Sequence, residues 1–345
     1  MLRIAVYSAI VLTLITLAIM LQVVALSELG NRRARRRKTF NESWRPFLAL
    51  CSISDGLPSA PPKLARRDRL WWVLQWNRLQ QHLRGTARER MNAALDALGM
   101  GPYVLELLRG GVRKRLIALT CLRYFGSLRH WDAIAALLDH RNAILALAAA
   151  QTLIAIDATR AMEVVLPIAL KRQDWALPRL AALCQYAEPA AVTPALLATM
   201  YAADEPQRHR LASLMTFAEP RLTGPWARLQ LDSEAAADLL QTALRCLGAI
   251  NDPRDRTRIL AQFDHTDANV RLVAVQTFRY QADPDDAEWL IGMLTDLSWW
   301  VRQAAADAVA SLPGYSDAKL LELAETFPDR YGQDALRRVI AERRE

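Results

Sequence analysis

Glycine is scarce in this chain. It supplies 13 of 345 residues, whereas alanine and leucine abound and 52% of the sequence is apolar. That mix favours helix over strand and allows a large core. Cysteine is rarer still. The four present, Cys51, Cys121, Cys184 and Cys246, form no CxxC pair and no cluster with histidine, which removes the common thiolate zinc sites. The five histidines, His82, His130, His140, His209 and His265, are scattered without an HExxH pair and read as surface or turn residues. No GxGxxG, GxxxxGKS/T or GxSxG occurs. No catalytic residue, metal or cofactor is therefore expected, and the chain reads as non-enzymatic. The stretch "RGGVRKR" (Arg109–Arg115) reads either as a solvated inter-helix turn or as a helix N-terminus holding a phosphate. The "DPDD" of Asp283–Asp286 reads as a helix cap rather than a calcium loop.

Acidic residues are thin in the first 130 positions, with 7 Asp/Glu against 22 Lys/Arg, a net of +15. The remainder carries 29 against 22, a net of −7, so the two parts are expected to meet different neighbours. Charge is missing altogether from Ile4 to Ser27. That run, as a helix, would extend about 36 Å, against about 30 Å for a hydrocarbon core. The run is longer than a usual signal h-region, no small-x-small site closes it, and "NRRARRRK" (Asn31–Lys38) follows. The expectation is a single transmembrane anchor over residues 1–30. Its N-terminus would lie outside and the rest in the cytoplasm, at a bacterial inner membrane. Arg32, Arg33, Arg35, Arg36, Arg37 and Lys38 either fix that topology alone or also meet anionic lipid. Residues 31–67 read as a basic juxtamembrane segment and a linker that includes the proline-rich "SDGLPSAPPK" (Ser54–Lys63).

What the chain has in plenty is self-similarity. "RLAALCQYAEP" (Arg179–Pro189) returns as "RLASLMTFAEP" (Arg210–Pro220). Similar junctions fall at Pro253 and Pro284, at Ala158 and Ser127 upstream, and near position 315. A period of about 31 residues, with acidic or proline breaks between apolar stretches, predicts stacked helical hairpins. In one unit, Trp289, Leu290, Met293 and Leu294 are predicted to share one face of the first helix. Ser298 would cap the second, whose stripe is Val301, Ala305, Ala308, Val309 and Leu312. Cys121, Cys184 and Cys246 follow one another at close to two periods. They are expected as free thiols in similar core slots, beyond disulfide reach. Such thiols suit a reducing compartment.

Val270-Arg271 and Val301-Arg302 align at one period, each after an aspartate-bearing turn, and Val112-Arg113 repeats the pair near the start. An Asp turn followed by Val-Arg early in the second helix resembles HEAT repeats, including HEAT-like repeats of the bacterial phycobilin-lyase type. The resemblance is strong over Asp252–Leu312 and weaker where Ile144, Leu177 and Leu211 lack the pair. It implies an all-α solenoid over residues 68–345 with atypical helices at both ends. It also implies an arginine ladder in which Arg271, Arg302 and Arg113 meet turn residues such as Asp267 and Asp296. Trp71, Trp72 and Trp76 are expected either in a capping helix or in one lying on a membrane surface. The adjacent Trp299 and Trp300 cannot both face one core well, so the pair reads either as accommodated together in inter-repeat packing or as leaving one ring on a contact surface for a partner.

Together these readings predict a membrane-tethered HEAT-repeat scaffold binding a membrane-associated protein partner, by analogy an accessory subunit of an envelope polysaccharide or secretion complex. An enzyme of phycobilin-lyase or DNA-glycosylase type is the alternative, and an anionic-lipid sensor a third. The net acidic array after residue 130 argues against nucleic acid.

Overall fold

The structure is a computed structural model that describes residues 2–58 and 60–343, without the side chains of residues 2–14, Arg33 and Glu205. Every regular element among the described residues is helical. Two compact units divide the chain, Met1–Ile134 and Ala135–Glu345.

The first unit begins with α1 (Leu2–Cys51), 50 residues long. Its described N-terminal half lies open, with Leu17, Met20 and Val24 exposed. Further on, Phe40, Trp44, Phe47, Leu48 and Cys51 recur at helical spacing and are buried. Trp44 sets its ring edge-on to Trp72 at 6.3 Å. Trp72 lies on α2 (Arg69–Gln80), and α3 (Thr86–Ala97), α4 (Gly101–Leu108) and α5 (Val112–Phe125) complete this core. Helix α2 packs on α1, α3 and α5. A short α6 (Trp131–Ala135) ends the unit.

Two expectations are corrected in this unit. Among the described residues no helix is long and apolar enough to cross a membrane. The apolar stretch with described side chains begins at Ile15 and reaches Ser27 before Glu28 and the basic block, about 20 Å of helix against the roughly 30 Å of a hydrocarbon core. The anchor through residues 4–27 and the single-pass inner-membrane placement are therefore not supported. The part of that expectation resting on the side chains of residues 4–14 lies outside the described residues. The segment read as juxtamembrane and linker is helical as far as Cys51, because its aromatic stripe is buried on α2.

The second unit alternates two layers. Its first-layer helices are α8 (Ala158–Lys171), α10 (Pro189–Ala202), α12 (Pro220–Leu231), α14 (Arg256–Leu260), α16 (Ala287–Gly292) and α18 (Asp317–Thr326). Its second-layer helices are α7 (Ala143–Ile156), α9 (Leu177–Ala187), α11 (Glu205–Ala212), α13 (Ala237–Ile250), α15 (Ala268–Phe278), α17 (Trp299–Ser311) and α19 (Arg330–Arg343). Helices α8, α10 and α12 open exactly one period apart, as do α13, α15, α17 and α19. Within the first layer α8 packs on α10 and α10 on α12; within the second α7 packs on α9, α13 on α15, α15 on α17 and α17 on α19. A stripe of Ala304, Ala305, Ala308 and Val309 lets α17 sit close between its neighbours.

Proline placement explains the joints. Pro189 and Pro220 occupy first-turn positions of α10 and α12, where a missing N–H costs nothing. Pro253 and Pro284 open short 3-10 turns that lead into α14 and α16. Asp286 accepts from the Asp283 amide at 2.8 Å and closes a capping box. Two local expectations are revised. Leu290 and Leu294 are buried, but Trp289 points outward at 57% exposure. At α17 the Ser298 hydroxyl makes no cap. Asp296 instead accepts the Ser298 amide at 2.7 Å.

Candidate interaction surface

Arginine supplies many of the polar contacts between successive repeats. Arg271 on α15 donates Nε and Nη2 to the two carboxylate oxygens of Asp296, at 2.7 and 2.9 Å. Its Nη1 donates to the carbonyls of His265 and Thr266, at 2.7 and 3.0 Å. One side chain thus ties its own inter-helix turn to the turn of the next repeat. Burial pushes the Asp296 carboxyl up, but the Arg271 guanidinium and the Ser298 amide outweigh that and hold it below the usual carboxylate range. Arg302 holds the equivalent place one repeat on and is buried. Its Nη1 donates to the carbonyls of Asp296 and Leu297, at 2.6 and 3.1 Å, and its guanidinium lies 5.0 Å from the Tyr331 ring. Asp267 turns to its own helix, accepting from the amides of Asn269 and Val270. Arg113 is exposed and holds no turn. Two residues on, Arg115 Nε donates to the Gly110 carbonyl at 2.8 Å.

The Val-Arg pattern missed several equivalent clamps. Arg228 on α12 forks onto Asp255 at 2.7 and 2.8 Å, and Arg256 on α14 pairs with Asp286. Both carboxylates are buried at the start of the next first-layer helix. Asp255, Asp286 and Asp317 recur at the repeat period, and that recurrence was the available signal. In the middle of the unit, Arg210 donates to the carbonyls of Ala169, Arg172 and Trp175. Arg172 donates to those of Leu138 and His140. Unpartnered carbonyls at helix ends are what these cations satisfy.

Two of the five histidines serve the same turns. His140 and His265 each accept the amide two residues ahead through Nδ1, at 3.0 Å. His130 is buried in a capping box with Ser127. His209 meets Asp238 at 2.7 Å. Among the described residues no three His, Cys, Asp or Glu side chains are grouped as a metal would require.

Trp299 and Trp300 open α17 and are 50% and 65% exposed. Their rings stand edge to face at 4.5 Å. Leu297, two residues before, is 96% exposed. Neither tryptophan is buried between repeats, because the first turn of α17 carries both clear of the Val301 stripe.

In the first unit, Trp72 and Trp76 are wholly buried, and Trp76 Nε1 donates to the Met91 carbonyl at 2.9 Å. That burial excludes both rings from a membrane surface. Trp71 is half-buried against Phe40. Arg32 pairs with Glu28 and Lys38 with Glu42 on the same helix, whereas Arg36 pairs with Asp68 and lies over Trp71. Arg35 and Arg37 are exposed, and the Arg33 side chain lies outside the described residues.

Comparison with protein families gives two overlapping matches to HEAT repeats, over residues 224–310 and 257–341. Comparison with curated proteins gives no match. The matched span takes in the Arg228, Arg256 and Arg271 clamps and the exposed tryptophan pair. Residues 224–341, about a third of the chain, are thus similar to HEAT repeats.

Proposed function

We propose that this protein is a non-enzymatic scaffold that binds another protein through the exposed end of α17. HEAT repeats generally mediate protein–protein contacts, and the array supplies a rigid platform. The observation that carries the reading is the Leu297, Trp299 and Trp300 cluster. Large aromatic side chains left in water at the start of a well-packed helix do nothing for the fold, and tryptophan is the residue most enriched at binding hot spots. The ladder residues Arg271, Arg302, Asp267 and Asp296 hold the platform and do not touch the partner. The aromatic rings carry the affinity.

The test is capture of partners by the full-length chain, with quantitative mass spectrometry, against Trp299→Ala/Trp300→Ala. A reproducible protein should be retained by the wild type and reduced at least tenfold by the variant, since truncating a hot-spot tryptophan costs about 2 kcal/mol or more. Far-UV circular dichroism should not change. Identical capture by both chains refutes the surface.

A further inference from the structure

Helix α1, helix α2 and the first turn of α5 enclose an open groove of about 1120 Å³ within the first unit. Leu70, Trp71, Leu74 and Ile117 form its apolar walls. Arg37, Lys38 and Arg45 come from α1, and Arg113 and Lys114 face them from the start of α5. Glu42 is the one acidic residue in the lining. All five cations are exposed.

We propose that this groove docks an acidic amphipathic helix of another protein. The argument is charge complementarity imposed on an apolar floor. Lys38 pairs with Glu42 at 3.9 Å, which leaves Arg37 and Arg45 on one rim and Arg113 and Lys114 on the other to repel one another until a polyanionic partner lies between them. The walls need an apolar stripe, and a helix that sets leucines at i, i+3, i+4 and i+7 beside glutamates provides both surfaces at once. The two rims flank the walls, so the glutamates belong on both sides of the leucine stripe. Arg36, by contrast, is already neutralised by Asp68 and stacked on Trp71, so it shapes the wall and does not bind. Gly111 precedes α5 without a side-chain cap, which leaves first-turn amides for one partner carboxylate to accept from. This surface is independent of the tryptophan pair on α17.

The probe is a fluorescein-labelled helical peptide of about four turns, leucine on one face and glutamate on its flanks, titrated with the full-length chain by fluorescence anisotropy. Saturable binding is expected, weakened about tenfold between roughly 50 and 300 mM salt. Arg113→Glu/Lys114→Glu should weaken it about tenfold or more, as should Arg37→Glu/Arg45→Glu from the opposite rim. Leu74→Asp should do the same through the wall, and Trp299→Ala/Trp300→Ala should leave binding unchanged. Replacing glutamate by glutamine in the peptide should abolish binding. The proposal is overturned if binding does not saturate, if the glutamine peptide binds equally, or if either charge-reversed pair binds normally. It is also overturned if phosphatidylserine vesicles displace the peptide and lose their own binding in the same two variants, which would assign the groove to lipid.

Discussion

Replacing Arg271 by alanine should destabilise the second unit by about 3 kcal/mol, because it breaks one side of a largely buried ion pair. The side chains of Arg271 and Asp296 are 14% and 7% exposed. The substitution leaves the Asp296 carboxylate in a largely desolvated position with only the Ser298 amide and the neighbouring Arg302 to offset its charge. Breaking one side of a buried pair typically costs about 3–5 kcal/mol. The pair lies at an inter-helix turn that solvent reaches, which places the expected loss at the lower end. The His265 and Thr266 carbonyls also lose a donor, but water can replace it. For a unit of this size, about 3 kcal/mol corresponds to roughly 6–12 °C in melting temperature.

The assay is urea and thermal unfolding of Arg271→Ala, Asp296→Asn and the double variant. Removing both charges should recover part of the loss, because no uncompensated carboxylate remains. The coupling energy should be about 1–2 kcal/mol. Loss under about 1 kcal/mol for the single variant, or strict additivity in the double, would refute the claim that this clamp locks two repeats. Arg337 and Asp334 also pair, at 4.0 Å, but both side chains are more than half exposed. Arg337→Ala is the internal control and should leave the melting temperature unchanged.

Further predictions follow from the same geometry. Gly332→Ala should destabilise by about 1–2 kcal/mol although alanine is the better helix former, because the new Cβ would run into the Phe327 ring and lie 3.0 Å from the Leu294 carbonyl oxygen; a rise in melting temperature would refute this. All four thiols should resist Ellman's reagent in the native protein and react after unfolding, since each is buried and burial pushes Cys184 up to about 12 and Cys246 up to about 11. Acid should loosen the array. Asp252 is held at about 2 by the Arg254 side chain and amide, and Asp174, Asp232 and Asp296 are also depressed. Groups depressed in the folded state stabilise it above their ordinary value of 3.8, and that contribution is lost as pH falls from there through the folded values. The melting temperature should therefore drop between about pH 5 and about pH 2, and a flat profile there would contradict these pairings.

The parts of this architecture that the sequence discloses are those each repeat must solve in the same way. A helix must end, turn and restart once per repeat, so Pro189, Pro220, Pro253 and Pro284 mark joints without any knowledge of the fold. The clamps were half-legible. Asp255, Asp286 and Asp317 keep the period, but their arginines come from different helices and positions, because a long side chain reaches a carboxylate from several starting points. Helix α1 misled for a different reason. Its uncharged start dominates any reading of hydropathy, whereas the residues that dock it, Phe40 to Cys51, are separated by polar neighbours and Pro46. The basic groove was invisible, because its rims lie far apart along the chain and meet only once α1 and α5 flank α2.

The same periodicity supplies an argument about function that no single residue could. Residues equivalent by one period occupy the same architectural slot, so what they share is set by packing and what they do not share is free of it. Leu297, Trp299 and Trp300 correspond to Thr266, Ala268 and Asn269 one repeat earlier. Both repeats build the same joint, with Arg271 and Arg302 bonded to the turn carbonyls five and six residues before them. A small polar turn therefore suffices for the joint. Enlarging it to three exposed apolar side chains adds surface that the fold does not need and that water disfavours. Transplanting the plain version, Leu297→Thr/Trp299→Ala/Trp300→Asn, should leave the melting temperature equal or slightly higher while abolishing partner capture. A large loss of stability would mean that the rings serve the fold after all, and the reading of α17 as a docking surface would fail.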